Sequence, residues 1–231
     1  MIKAPRLLLL SGLAMAAIAS VTLIAMATNN AVQQAERNRI MLDCRNAMIF
    51  VESYRFRHAH FPPYCIGTSS CGDRIGWQME MAASIEPKGG PASDILDSIA
   101  SQQEVDCQRF SDLVEDAMLG TTSEDSRMTF IGVWPTDDHR PSRNINRMTL
   151  IGSSSLSSKW YLADDLKEFQ RLTKGSVVGD MSPDGILAVF ADGEMWWLSE
   201  YTPTRVLVEH TGAEESLPNR EITLKQYHVN D

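Results

Sequence analysis

The sequence predicts an α+β fold in which one long N-terminal helix precedes an antiparallel β-sheet. No proline or glycine interrupts the chain between Leu13 and Ala59, and apolar residues recur there at a spacing of three to four. After residue 128, short runs rich in β-branched and aromatic residues alternate with turn residues. A helical part followed by a strand-rich part is typical of α+β domains. The 231 residues allow one domain, or one domain with an appendage.

The first half of the long helix is predicted to be a membrane anchor. From Leu7 to Ala27 the chain carries no charge for 21 residues. A helix of that length spans about 30 Å, which is the thickness of a bilayer core. Lys3 and Arg6 precede the run, and the positive-inside rule then places the N-terminus in the cytoplasm. We therefore expect a single-pass protein of the inner membrane whose body lies in the periplasm.

A cleavable signal peptide is the alternative interpretation of the same run. Ala25-Met26-Ala27 has the A-x-A pattern of a cleavage site, although the apolar run is longer than the roughly 7–15 residues of most signal sequences. Cleavage after Ala27 would release a periplasmic ligand-binding domain. We expect the anchor to be retained, so that residues 1–30 form the membrane anchor and residues 31–231 form the periplasmic domain.

The second half of the helix is predicted to rest on the body with one face. Its apolar residues follow the period of an amphipathic helix, and Pro62-Pro63 then ends any helix. The apolar positions are Ala31, Val32, Ala35, Ile40, Cys44, Ala47, Met48, Val51 and Tyr54. A single helix of some 50 residues is therefore expected, with its first half in lipid and its second half on the domain.

The middle of the chain is predicted to contribute helical core. The turn-rich stretch EPKGGPAS at 86–93 precedes a helical pattern that begins at Asp94. Ser101 and Glu104 have the spacing of a capping box, and Gly120 is a stop signal. We assign this region to core packing.

The C-terminal half is predicted to form the sheet, with a short helix around Asp165–Leu172. Runs of strand composition are MTFIGVW (128–134), MTLIG (148–152), ILAVFA (186–191), EMWWLS (194–199), RVLVEH (205–210) and EITLKQY (221–227). The third and fourth runs are separated by Asp192-Gly193, the pair preferred in a two-residue type I′ turn, in which both residues need a positive φ. Both residues are therefore assigned a structural role in a hairpin turn.

Alternation along EMWWLS separates two tryptophans onto opposite faces of the sheet. One face holds Met195 and Trp197, and the other holds Glu194, Trp196 and Leu198. We expect Trp197 to pack on the long helix near Val51 and Tyr54. Because Glu194 marks the second face as polar, Trp196 and Leu198 are candidates for an interface with a protein partner. Cover of Trp196 by the chain's own segment 203–231 is the alternative of equal weight.

Charge and motifs exclude several function classes. The net charge is −9, and no basic stripe is present, so the chain is not expected to bind nucleic acid. The sequence lacks G-x-S-x-G, G-x-G-x-x-G, Walker, H-E-x-x-H and C-x-x-C patterns. Asp137-Asp138-His139 is interpreted as a solvated turn rather than a proton relay, and Asp180, Asp184 and Asp192 as turn residues rather than calcium ligands. We predict no enzyme activity, no catalytic residue, no cofactor and no metal.

The four cysteines suit an exported protein, and they allow three pairings between which sequence does not decide. Cys65 and Cys71 enclose a short Gly/Ser loop, which favours a disulfide between them. A metal site with His58 and His60 is the alternative, but no known zinc spacing matches.

Several stretches together resemble a known family. They are AVQQAERNRIMLDC (31–44), RNAMIFVESYRFRHAHFPP (45–63), WQMEMAASIEP (77–87), NRMTLIG (146–152), WYLADDL (160–166) and SPDGILAVFADGEMWWLS (182–199). In order and spacing they are similar to the bacterial type IV pilin-like and pseudopilin-like proteins. The narrower resemblance is to the prepilin-type family of unknown function that ends in a His-x9-Asp-Gly element.

This resemblance implies a pilin-like fold and a non-enzymatic structural or interaction role, as a minor component of a secretion or pilus apparatus. It also implies protein partners, among them other pilin-like subunits. The chain departs from the pattern at Leu8 and Leu13, where prepilins carry the Gly and Glu used in processing and assembly. Ser182 stands where the family has His, and Gly152 where it has Glu. The departures favour a membrane-tethered relative over a filament subunit.

Overall fold

The computed structural model describes residues 4–69, 72–86, 89–101, 109–110, 112–114, 128–134, 144–212 and 216–229, with side chains at residue 15 and from residue 18 onward. Two compact units divide the chain, Met1–Arg39 and Ile40–Asp231. The expected boundary at residue 30 thus lies nine residues before the boundary of the units.

Helix α1 runs without a break from Ala4 to His58, which confirms the single long helix. It ends where Ala59 adopts a φ of +61°, shortly before Pro62-Pro63. Among the described residues, no helix combines the length and the apolar character needed to cross a membrane. Of the run expected to form the anchor, the side chains of residues 7–14, 16 and 17 lie outside that description.

Four antiparallel strands form the main sheet in the order β3-β4-β5-β6. They are β3 (Phe130–Gly132), β4 (Met148–Gly152), β5 (Ile186–Phe190) and β6 (Met195–Leu198). A separate hairpin consists of β1 (Cys65–Thr68) and β2 (Arg74–Gly76). The helices after α1 whose bounds lie within the described residues are α2 (Gln78–Ile85), α3 (Pro91–Ser101), α4 (Asp165–Leu172), α5 (Thr204–Glu209) and α6 (Arg220–Thr223). The chain is therefore α+β, as predicted.

Alternation along the strands places successive side chains in two different cores. Leu187 and Val189 of β5 pack against the part of α1 that follows Ile40. Ile186, Ala188, Phe190 and their neighbours form the second core with α4, α5 and the C-terminal segment. Because both faces of the main sheet are covered, nearly every residue of β3 to β6 is buried, which explains why these strands have continuous apolar sequences.

The amphipathic face of α1 is confirmed only in its C-terminal part. Ile40, Cys44, Ala47, Met48 and Val51 are buried in the core beneath the sheet. Ala31, Val32 and Ala35, which share the same helical period, are exposed.

The middle region forms a third core, as expected. Phe110 and Val114 pack there with Ile95 of α3 and Met79 of α2. Ser101 of the proposed Ser101–Glu104 capping box is the last residue of α3, where its hydroxyl donates to the Asp97 carbonyl at 2.7 Å. Glu104 and the expected stop at Gly120 lie outside the described residues. The β1–β2 hairpin and α2 were not anticipated from the sequence.

Two predicted strands are helical, which corrects the expected further pair. RVLVEH lies in α5, and EITLKQY forms α6 followed by a single 3-10 turn, Lys225–Tyr227. Short apolar runs do not distinguish a strand from a buried helix, because either can bury adjacent residues. In α5 the buried apolar residues are Val206 and Leu207, which contribute to the core on the sheet face opposite α1.

The β5–β6 hairpin turn is structural, but it is not of type I′. Gly193 has a φ of +85°, whereas the φ of Asp192 is negative. Gly193 donates its N–H to the Phe190 carbonyl at 2.9 Å, and Phe190 donates to the Glu194 carbonyl at 2.9 Å. This is a three-residue loop with glycine in the left-handed region, the next most common hairpin connection.

Candidate functional site

The tryptophan expected at an interface is buried within the chain. Trp196 is 7% exposed and Leu198 is 1% exposed. The His228 ring stacks on Trp196 with 5.0 Å between ring centroids, so the C-terminal segment covers this position. Trp197 lies in the same core as Val51 and Tyr54, which confirms the predicted contact with the long helix. In the structure, residues of the segment 203–231 therefore cover Trp196, as in the second of the two alternatives. Neither Trp196 nor Leu198 is exposed for contact with a protein partner.

Arg220, in the C-terminal segment that covers Trp196, contacts acidic and aromatic side chains of the β5–β6 hairpin. Its guanidinium donates to both carboxylate oxygens of Asp192, at 2.9 and 2.6 Å, and to Glu194 at 2.9 Å. The same group lies 4.7 Å from the ring centroid of Phe190 and 5.5 Å from that of Trp196. We call these residues the Arg220 cluster. Partial burial by itself would raise the pKa of Asp192, but the hydrogen bonds and the charge of Arg220, together with the Glu194 N–H, outweigh it and lower this pKa below its ordinary value.

His210, directly after α5, links this helix to the C-terminal segment and to the loop before β4. Its Nδ1 lies 2.8 Å from the Asn146 carbonyl oxygen, and its Nε2 lies 2.8 Å from the Thr223 hydroxyl. Burial lowers the pKa of His210, because a charged imidazolium loses its hydration there. The neutral ring therefore acts as a link between two segments rather than as a charge.

A second polar centre surrounds the fully buried Asp165 at the start of α4. Its Oδ1 accepts hydrogen bonds from the Gly132 N–H at 2.6 Å, from Trp77 Nε1 at 3.1 Å and from Gln78 Nε2 at 3.1 Å. Burial raises the pKa of Asp165 to about 6 in spite of these donors. We call this the Asp165 cluster. The carboxylate satisfies an N–H of the edge strand β3 and joins it to α2 and α4, so its role in the fold is structural.

The histidines at the end of α1 form an aromatic group with Tyr54. The ring centroid of Tyr54 lies 4.3 Å from that of His58 and 5.6 Å from that of His60. Within the described part of the chain, no group of three His, Cys, Asp or Glu side chains is placed to hold a metal ion. Half-buried Glu80 carries a carboxyl whose pKa is raised by burial and lowered in part by His58.

The structure describes two of the four cysteines, Cys44 and Cys65. Cys65 is a free thiol whose Sγ donates to the Gly67 carbonyl at 3.3 Å, and Cys71, its partner in the expected disulfide, lies outside the described residues. Cys44 is a free thiol buried in the core against the sheet, and burial raises its pKa, which makes it unreactive. Cys71 and Cys107 lie outside the described residues.

Two positions at which the chain departs from the prepilin pattern lie close to each other. Ser182, in place of His, shares a 2.8 Å hydrogen bond with Ser153 and donates to the Gly185 carbonyl at 2.6 Å. Gly152 faces α1, where a Cβ would lie 2.5 Å from Ile40 Cγ2 and 2.7 Å from Cys44 Sγ. A glutamate at residue 152 would therefore displace α1 from the sheet.

The remaining acidic candidates serve turns or lie outside the described residues. Asp180 accepts hydrogen bonds from the Ser176 and Val177 N–H groups, at 2.7 and 3.2 Å. Asp137-Asp138-His139 falls in the stretch 135–143, which is not described.

Neither Arg220 nor Asp165 was identified from sequence. The only signal for Arg220 was the presence of two carboxylates, Asp192 and Glu194, at the hairpin turn, and this does not identify a partner. Comparison with known proteins adds no assignment: no family model, curated protein or solved structure matches the chain. The two clusters hold strands, helices and the C-terminal segment together.

Proposed function

We propose that the chain is a non-enzymatic, membrane-anchored, pilin-like or pseudopilin-like protein with a structural or interaction role, a minor component of a secretion or pilus apparatus. In this proposal the N-terminus is cytoplasmic, the span lies in the inner membrane and the domain is periplasmic. Its partners are proteins, among them other pilin-like subunits.

The observation that carries the proposal is that one continuous helix has an uncharged N-terminal part and an amphipathic C-terminal part. The run from Leu7 to Ala27 is uncharged and follows Lys3 and Arg6, as a span inserted with its N-terminus inside would be. The same helix buries one face against an antiparallel sheet from Ile40 onward. A membrane helix that continues into the core of its domain would hold this domain at the membrane surface, and this supports a structural or interaction role.

A signal-peptide-cleaved periplasmic ligand-binding domain is the second candidate, and Ala25-Met26-Ala27 is the observation that favours it. Cleavage would leave Thr28 as the first residue. The two candidates therefore differ in both mass and membrane association.

The test is carbonate extraction of membranes from cells that express the full chain, followed by intact-mass measurement. The anchor predicts a protein that stays in the pellet with a mass that begins near Met1. A soluble protein whose mass begins at Thr28 would establish the second candidate. Ala27→Leu is the matched control, because it blocks signal cleavage while leaving an anchor apolar.

Orientation is tested separately by adding protease to spheroplasts. A periplasmic domain is degraded in intact spheroplasts, whereas a cytoplasmic one is degraded only after lysis. Protection in intact spheroplasts would refute the proposed topology.

A further inference from the structure

The segment 216–229 extends the main sheet beyond β6. Ser199 donates its N–H to the Tyr227 carbonyl at 2.9 Å, and Val229 donates to the Trp197 carbonyl at 2.9 Å. Leu198 and His228 form an antiparallel bridge between these bonds. The segment therefore occupies backbone groups of β6 that point away from β5. We call residues 216–229 the strap.

The strap is held by polar contacts and by a few apolar ones, among them that of Val229, which packs against the core that contains Trp197. Of its residues, Arg220 and Leu224 are the buried ones, and Ile222 is 78% exposed. Leu224 reaches the core, while Arg220 grips Asp192 and Glu194. Segments with few buried apolar contacts open locally at a lower free energy than the core does.

Opening of the strap would expose a surface of defined chemistry. The edge of β6 would present the Ser199 N–H and the Trp197 carbonyl, which only another extended chain can pair in register. The Trp196 ring would lose the His228 ring, and the carboxylates of Asp192 and Glu194 would lose their arginine.

We propose that the strap is a detachable cover over a strand-addition site, and that this site binds an extended peptide segment of a protein partner. The segment that fits carries an Arg or Lys for Asp192 and Glu194, and a flat ring for Trp196. This rests on the proposed role as an interaction protein, but it does not depend on the membrane anchor.

Hydrogen exchange of the full chain tests whether the strap opens. We expect the Ser199 and Val229 amides to exchange at least about tenfold faster than the Ala188 amide of β5. Arg220→Met removes the guanidinium that binds Asp192 and Glu194 and keeps an apolar side chain. The exchange rates of the Ser199 and Val229 amides should therefore rise by about another tenfold, and that of the Ala188 amide should not change. Lys225→Met, which removes an exposed cation of the strap, is the matched control and should change none of them.

Two exchange results would overturn the proposal. One is equal exchange of Ser199, Val229 and Ala188 in the wild-type chain, and the other is equal acceleration of all three in Arg220→Met. If Arg220→Met fails to fold, His228→Ala takes its place, because it removes only the ring from Trp196.

Binding is tested with a synthetic peptide of the strap's own sequence, residues 216–231, carrying a fluorescent label. It should bind full-length Arg220→Met at least about tenfold more tightly than wild type, whose site is occupied. A peptide with Arg220→Glu should not bind, because it places a carboxylate against Asp192 and Glu194. Equal binding of both peptides, or no binding to the opened chain, would refute the site. These outcomes are independent of carbonate extraction, so failure here and failure of the anchor are distinguishable.

Discussion

Replacement of Asp165 by asparagine should change how the stability of the domain depends on pH. The carboxyl is fully buried, and its pKa is raised to about 6 by loss of hydration, although Gly132, Trp77 and Gln78 donate hydrogen bonds to it. In the unfolded chain the pKa returns to an ordinary value of 3.8. Between these two values the folded protein binds a proton that the unfolded chain does not.

The sign follows from that difference in bound protons. Above pH 7 the buried carboxylate is ionised in both states, and its lost hydration destabilises the folded protein. As the pH falls from 7 to 4, the folded state takes up the proton first, so the free energy of unfolding rises. A pKa of about 6 in place of 3.8, at about 1.4 kcal/mol for each pH unit, corresponds to at most about 3 kcal/mol.

Asparagine keeps the shape of the side chain and removes its titration. Its Oδ1 can accept from Gly132 and Trp77. Gln78 Nε2 now donates to both carboxylate oxygens, so the Gln78 amide must turn over, and its Oε1, a buried atom that has no hydrogen-bond partner, can then accept from the asparagine amide. Asp165→Asn should therefore match or exceed the wild-type stability at pH 7. Asp165→Ala should lose about 3 kcal/mol or more, because it leaves buried donors unpaired.

The assay is urea unfolding followed by tryptophan fluorescence at pH values from 4.5 to 7.5. Glu80, with a raised pKa, acts in the same direction as Asp165, whereas Glu168 and Asp192, with lowered pKa values, oppose it at lower pH. The difference between variant and wild type therefore isolates Asp165. Asp164→Asn, one residue earlier and paired with exposed Lys167, is the control and should keep the wild-type profile. An Asp165→Asn profile that still rises as steeply below pH 7 would refute the reasoning.

Three further substitutions test the packing. Gly193→Val should cost about 1–2 kcal/mol in urea unfolding, because its φ is +85°, and Gly193→Asn should cost less; equal losses would contradict the turn. Trp197→Ala should cost about 3–5 kcal/mol, and a loss below 1 kcal/mol would contradict its burial against α1. Gly152→Ala should cost about 1–3 kcal/mol, since its Cβ would meet Ile40 and Cys44, and an unchanged melting temperature would show that α1 moves freely.

The periodic spacing of apolar residues correctly predicted several strands and helices, including β4 and α4. The predicted strand MTLIG and the predicted helix 165–172 coincide with β4 and α4 to the residue. The alternation in EMWWLS correctly separated Trp196 from Trp197. These predictions succeeded because the period of a strand or helix depends on neighbours within a few positions.

Prediction failed where the distant environment chooses between conformations. RVLVEH has the composition of a strand, but β6 already has its outer groups paired with the strap, and the run packs as a helix over the second core. The turn at Asp192-Gly193 has a third loop residue and also a distant partner. Arg220 binds the Asp192 side chain there, a contact that the turn sequence does not contain.

The sequence alone determined the long helix, the four runs that form the main sheet, the position of the hairpin and the two faces of β6, because their periods are local. Tertiary structure alone decided which polar groups meet. Arg220 reaches Asp192 across 28 positions, and Trp77 reaches Asp165 across 88. Such pairs form only after the sheet has brought distant segments together, and a buried charge or N–H must then bond to whatever partner lies within reach. For this reason the sequence did not decide whether a partner or the chain itself covers Trp196. In the structure, His228 of the strap covers it.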